Sequence, residues 1–179
     1  MLRKILVAID ESAASQWAFD TALSMAKPLE AQLLLVHVVD GFSPNSPKHP
    51  CVSAESFSMD VESSAQKEYE QQWQALMDRY DTLLKQRQAE AKATGVAATY
   101  LQTQGIPGQK ICEIARTNNI DLIVVGNRDR TNKAELVRGS VSNYLVHHAP
   151  CSVTVVHPKA DAEESYKVGN SMFATAGVA

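Results

Sequence analysis

Short apolar runs alternate along this chain with segments of helical period, and an apolar run covered on both faces followed by an amphipathic helix is the repeat from which parallel sheets are built. Lys4 to Ile9 is one such run, and Gln32 to Val39, with Leu33-Leu34-Leu35-Val36-His37-Val38-Val39, is a second. Ile120 to Val125 and Ser152 to Val156 are two more, and Val96 to Thr103 is a weaker fifth. Their shortness favours strand over buried helix. Between the first two, Ser12 can cap a helix in which Ala14, Trp17, Ala18, Thr21, Ala22 and Met25 recur at three- and four-residue spacing, with Pro28 expected to close it. Ala65 to Thr94 carries Tyr69, Trp73, Leu76, Tyr80 and Leu83 on one stripe, a face expected to pack on the sheet, and Gly95 can end that helix. A short helix after Gly105-Ile106-Pro107-Gly108 would bury Ile111, Ile114 and Ala115 and stop at Asn118-Asn119; the last helical stretch lies around Val141 to His148. Strands alternating with helices imply right-handed crossovers, so the pattern predicts an α/β fold: a doubly wound, five-stranded parallel sheet with helices on both faces.

The rhythm breaks at 41–64, where Pro44, Pro47 and Pro50 lie among serines and favour an exposed loop. Phe57 and Met59 in it could cover a ligand or contact another protein, against the plainer reading of an irregular surface loop. One domain is expected over 1–158, loop included, with a mobile tail over 159–179, which is polar, small and without period. The balance of 17 basic against 20 acidic residues provides no positive field to hold a polyanion, so nucleic acid is not an expected partner. No segment approaches membrane-spanning length, and Asp10 breaks the first apolar run before it could serve as a signal-peptide core. Cys51, Cys112 and Cys151 are odd in number and lack a Cys-x-x-Cys spacing, which fits a reducing compartment, and the cytoplasm is the expected location.

Doubly wound sheets bind small ligands beyond the carboxyl ends of their strands. That directs attention to Asp10, to Val38 through Asp40, to Gly105, and to the segment from Gly126 onward. From Gly126 to Ser142 the chain runs from a strand exit into a helix, with Gly139, Ser140 and Ser142 placed to offer N–H and hydroxyl donors, and Arg128, Arg130, Lys133 and Arg138 to add positive charge. A solvated basic loop with a capping serine accounts for the same residues.

Gly126, Asp129, Gly139 and Ser140 have the spacing of a motif, Gly, two residues, Gly, nine residues, then Gly-Ser, and here the chain resembles the universal stress protein family. The resemblance extends to Lys-Ile-Leu-Val-Ala-Ile-Asp at the start, Leu-Leu-Val-His-Val-Val near residue 36, Gly-Ile-Pro-Gly at 105, Asp-Leu-Ile-Val-Val-Gly at 121 and Ala-Pro-Cys-Ser-Val-Thr-Val-Val at 149. It implies an adenine nucleotide alpha hydrolase-like fold and an ATP or AMP ligand. Adenine and ribose would lie at Ala8, Ile9, Asp10 and Val38. The phosphates would lie over Gly126, Gly139, Ser140, Val141 and Ser142, flanked by Val125 and Asp129. The family further implies a homodimer through Ser152, Val153, Thr154, Val155 and Val156, and a regulatory role in stress response exerted through a protein partner.

Asp129 departs from the family pattern, which has glycine there. Asp tolerates the left-handed region, but a carboxylate about 5 Å from one phosphate charge is repelled by roughly 3 kcal/mol at an effective dielectric near 20. ATP affinity is therefore expected to fall about a hundredfold. Arg128 and Arg130 could offset the charge, Asp10 or Asp129 could hold a Mg²⁺ that bridges to phosphate, and AMP would suffer less. No residue set is assigned as a metal site: His37, His49, His147, His148 and His157 show no i, i+4 pair. No catalytic residue is assigned; at most slow ATP hydrolysis is expected, with Asp10 or Asp129 as base. Two alternatives stand beside the nucleotide-dependent regulator: that weak hydrolase, and a dimeric interaction protein that binds no nucleotide.

Overall fold

A computed structural model of the chain describes residues 2–44, 46–49, 59–127 and 141–157, with the backbone alone over 59–63. Five strands, β1 (Lys4–Ala8), β2 (Gln32–Val39), β3 (Ala98–Gln104), β4 (Leu122–Gly126) and β5 (Ser152–Val156), form one sheet in the order β3-β2-β1-β4-β5, and all pairs are parallel. The chain winds outward from β1 through β2 to β3, then crosses back to β4 and β5. The doubly wound fold expected from the pattern is what forms, and the winding reverses between β1 and β4.

Alternation along the strands divides the core between the two faces. Ile5, Val7, Leu33, Leu35 and Val124 pack against α1 (Ala13–Leu29) and α2 (Met59–Ala93), whereas Leu6, Val36, Val38, Ile123 and Val125 pack against α3 (Pro107–Thr117) and α4 (Val141–His148). Ile111, Ile114 and Ala115 are buried as their spacing predicts, joined by Cys112. Asn118 caps α3, and Gly95 follows α2 at φ +84°, a left-handed conformation that glycine adopts without strain.

Ser12 caps α1, its hydroxyl accepting from the Ser15 N–H. Pro28 does not close that helix. It sits in the last turn, where the helix runs on to Leu29, and the stop is Glu30, which takes the left-handed conformation at φ 50° while its N–H turns back to the Lys27 carbonyl (3.3 Å). The buried face is also rotated from the expected one. Ala14, Ala18, Ala22 and Ala26, four residues apart, let the helix settle closely on the sheet. Phe19 turns fully into the core, while Trp17, Thr21 and Met25 are only half-buried.

The long helix starts earlier than its apolar stripe suggests, at Met59, so six residues expected in the loop 41–64 are helical. At 35 residues it is about 52 Å long, against about 26 Å for the eight-residue β2. Its carboxyl-terminal part covers the sheet through the fully buried Leu84 and Ala91. Tyr69, Trp73 and Leu76 are half-buried, because this amino-terminal part reaches past the strand exits. The tail expected over 159–179 lies outside the described residues, as does residue 158.

Candidate functional site

Three strand exits meet at the switch between β1 and β4. Ala8 ends β1, with Ile9 and Asp10 following it; Val38 lies one residue from the end of β2; Val125 and Gly126 end β4. The fold therefore brings Ala8, Ile9, Asp10, Val38, Val125 and Gly126 to one edge of the sheet. The crossover from β4 to β5 starts α4 at that edge too, with Val141 packed on the core and Ser142 buried. Asp129, Gly139 and Ser140 lie outside the described residues, as do Arg128, Arg130, Lys133 and Arg138.

The turn after β1 is held by side chains. Asp10 Oδ1 accepts from the Ser12 N–H (2.7 Å) and from the Ser12 hydroxyl, and the Asp10 N–H donates to Ser15 Oγ (2.8 Å). Ser15 is buried at 5% exposure and wedges this turn against the end of β1. A second aspartate repeats the device at the neighbouring exit: Asp40 Oδ1 accepts from the Phe42 N–H (2.9 Å), and its carbonyl accepts from the Ser43 N–H (3.1 Å). Each carboxylate fixes a loop by bonding two residues onward, as Asp does in turns. Asp10 thus braces the turn at the strand exit by holding Ser12, the residue that caps α1.

Glycine at 126 answers to packing. A Cβ there would overlap the Ala14 carbonyl group, so the first turn of α1 lies directly against the end of β4. The sequence reading misses this contact, although the alanine spacing of α1 signals it.

The reading also misses what surrounds Ile9. The Ile9 N–H donates to the Val36 carbonyl (2.8 Å), and the Ile9 carbonyl faces His37 Nδ1 at 2.7 Å. A carbonyl can only accept, so Nδ1 carries the hydrogen. The His37 ring, 6% exposed, stacks on Tyr80 of α2 with centroids 3.6 Å apart and planes 16° from parallel. One residue before Tyr80, Arg79 makes a two-pronged ion pair with Glu11, tying the overhang of α2 to the turn after β1. Gln102 of β3 adds a bond to the Met77 carbonyl (3.0 Å). The overhang is a wall beside the strand exits, and a histidine inside an apolar run was its one sequence signal.

Two open depressions of about 490 and 520 Å³ lie between this wall and the loop after β2, the first reaching Phe42, Lys48, His49 and Tyr69, the second Lys48, Leu76 and Arg79. Neither is lined by Asp10, Val38 or Gly126, so both are separate from the switch point. Among the described residues no cluster of three or more His, Cys, Asp or Glu side chains is arranged to hold a metal ion, and no helix is long and apolar enough to cross a membrane.

Comparison with known proteins places this geometry in context. The model of the universal stress protein family matches residues 1–157. Universal stress protein Slr1101 of Synechocystis is 45% identical over 89 residues, covering 49% of this chain and 82% of the relative. Among solved structures, the universal stress protein UspA from Lactobacillus plantarum superposes with a TM-score of 0.63 at 26% identity, covering 86% of this chain and 97% of the other. A universal stress protein family protein from Arabidopsis thaliana, solved with AMP bound, has a TM-score of 0.58 over 89% of this chain and 94% of its own; at 22% identity that likeness is one of fold.

Proposed function

The chain belongs to the universal stress protein family, and on that premise we propose that it binds an adenine nucleotide, AMP or ATP, across the exits of β1, β2 and β4. The observation that carries this reading is the meeting of Asp10, Ile9 and Val38 at the point where the winding of the sheet reverses, the place where such sheets take ligands. Asp10 is braced to present its carboxylate to a ribose hydroxyl, and the backbone of Val38 lies beside it for the base. The AMP carried by a protein of the same fold supports the choice of ligand class. Gly126, Val125, Val141 and Ser142 flank the phosphate side, which Asp129, Gly139 and Ser140 would complete.

The bound nucleotide acts as a signal in stress response, read by a protein partner in the cytoplasm, and copies of the chain pair through β5, one of the two outer strands of the sheet. Mg²⁺ would join only with ATP, through Asp10 or Asp129. Calorimetry with AMP and ATP tests the reading: saturable binding to the wild type, weakened in Asp10→Ala, is expected. Asp129→Gly should strengthen ATP binding about a hundredfold by removing the carboxylate. No heat with either nucleotide, together with no nucleotide released from the purified protein on denaturation, would overturn it in favour of an interaction protein.

A further inference from the structure

We infer that His37 is a positioning residue that opens the backbone edge of Val38 to the adenine ring, an inference that rests on the adenine-nucleotide reading and adds how the site is made. In a parallel pair, alternate residues of a strand direct both N–H and C=O toward the same neighbour. Leu33 donates to Ala97 and Val39 accepts from Gly105, the residues that flank β3, so the odd-numbered residues of β2 face β3. Val36, which accepts from Ile9, shows that the even-numbered residues face β1. Val38 therefore turns its N–H and C=O toward β1, one step beyond the last paired residues, Ala8 and Val36.

A ladder continued by that step would join the Val38 N–H to the Ile9 carbonyl. Among the described residues no such bond forms, and the Ile9 carbonyl takes the His37 ring at 2.7 Å instead. The imidazole replaces a backbone donor, satisfies a carbonyl that would otherwise close the ladder, and leaves the Val38 edge facing the switch point. Stacking on Tyr80 fixes the ring in that pose. A strand edge offering one N–H and one C=O complements the N1 acceptor and N6 amine of adenine; in hypoxanthine the same two positions are reversed, a donor at N1 and an acceptor at O6. His37 thereby bears on selectivity for adenine without touching it.

Amide hydrogen exchange by NMR, run beside calorimetry, tests this. In the wild type without ligand, the Val38 amide should exchange faster than that of Val36, and AMP should slow it. His37→Phe keeps a ring against Tyr80 but removes the donor. The ladder should then extend, with the Val38 amide protected about tenfold, AMP affinity reduced by about tenfold or more, and the preference for AMP over IMP diminished. His37→Asn, which restores a donor near the Nδ1 position, should recover both. A Val38 amide already protected in the unliganded wild type overturns the inference even if the variants do not fold. AMP that binds without altering that amide overturns it too and leaves nucleotide binding standing, whereas a wild type that binds no AMP overturns the underlying reading as well.

Discussion

Gly126 and Ala14 are in backbone contact: a Cβ on the glycine would overlap the Ala14 carbonyl group and come to 2.9 Å of the Ala14 Cβ. The end of β4 and the first turn of α1 cannot both stay in place if residue 126 gains a side chain. Gly126→Ala should therefore lower stability by about 1–3 kcal/mol or more, with or without nucleotide, seen as a reduced Tm. An unchanged Tm would contradict the close approach.

Asp121 closes the other end of the sheet, its Oδ2 accepting from the N–H groups of Arg3 (2.8 Å) and Lys4 (2.9 Å). Those two bonds, with the Arg3 charge, hold its carboxyl below the ordinary carboxylate range. A carboxyl depressed in the folded state stabilises the fold above its unfolded pKa, and that contribution disappears as pH falls through the folded value. Asp121→Asn should lower the Tm at pH 7 and flatten its decline below about pH 4. A variant whose Tm falls with acid as steeply as the wild type would show that Asp121 does not contribute.

Burial raises the thiols of Cys112 and Cys151, and the negative charge of Asp121 adds to the effect on Cys151. Both should alkylate slowly at pH 7.5 in the native protein and rapidly in denaturant, followed residue by residue by mass spectrometry. Rapid native labelling of Cys112, which is 6% exposed, would mean that the face formed by α3 and α4 opens readily.

The pairing of copies proposed for β5 rests on its place at the sheet edge, with Val153, Val155 and Val156 half-buried. Val155→Lys should give monomers in sedimentation with the fold intact by circular dichroism, since a charge on an edge strand opposes pairing. Persistence of a dimer would locate the interface elsewhere.

The strands were open to sequence reasoning because a strand covered on both faces needs a short continuous apolar run, whereas their order in the sheet, β3-β2-β1-β4-β5, is set by crossovers that no such run records. Ser12 was legible for a similarly local reason, since only a short polar side chain can serve the N–H of Ser15. Pro28 misleads because near a helix end proline forfeits only the bond its own nitrogen would make to the Ser24 carbonyl, and the helix runs on one residue past it. Phe19 displaces Trp17 from the core because the alanines determine how closely α1 approaches, a matter of tertiary packing. Within the site, Asp10 and Val38 follow from strand exits, but the bond from His37 to Ile9 depends on where two ladders stop, and no periodicity records that.

The strand order also imposes a schedule on synthesis. β1 lies at the centre of the sheet, yet the aspartate that binds the Lys4 N–H is 117 residues further along the chain. At about 5–20 residues per second, the first strand made waits roughly 6–23 s before that side of it can be covered. Over that interval Ile5, Leu6 and Val7 lack β4, the strand that covers one side of them in the finished sheet.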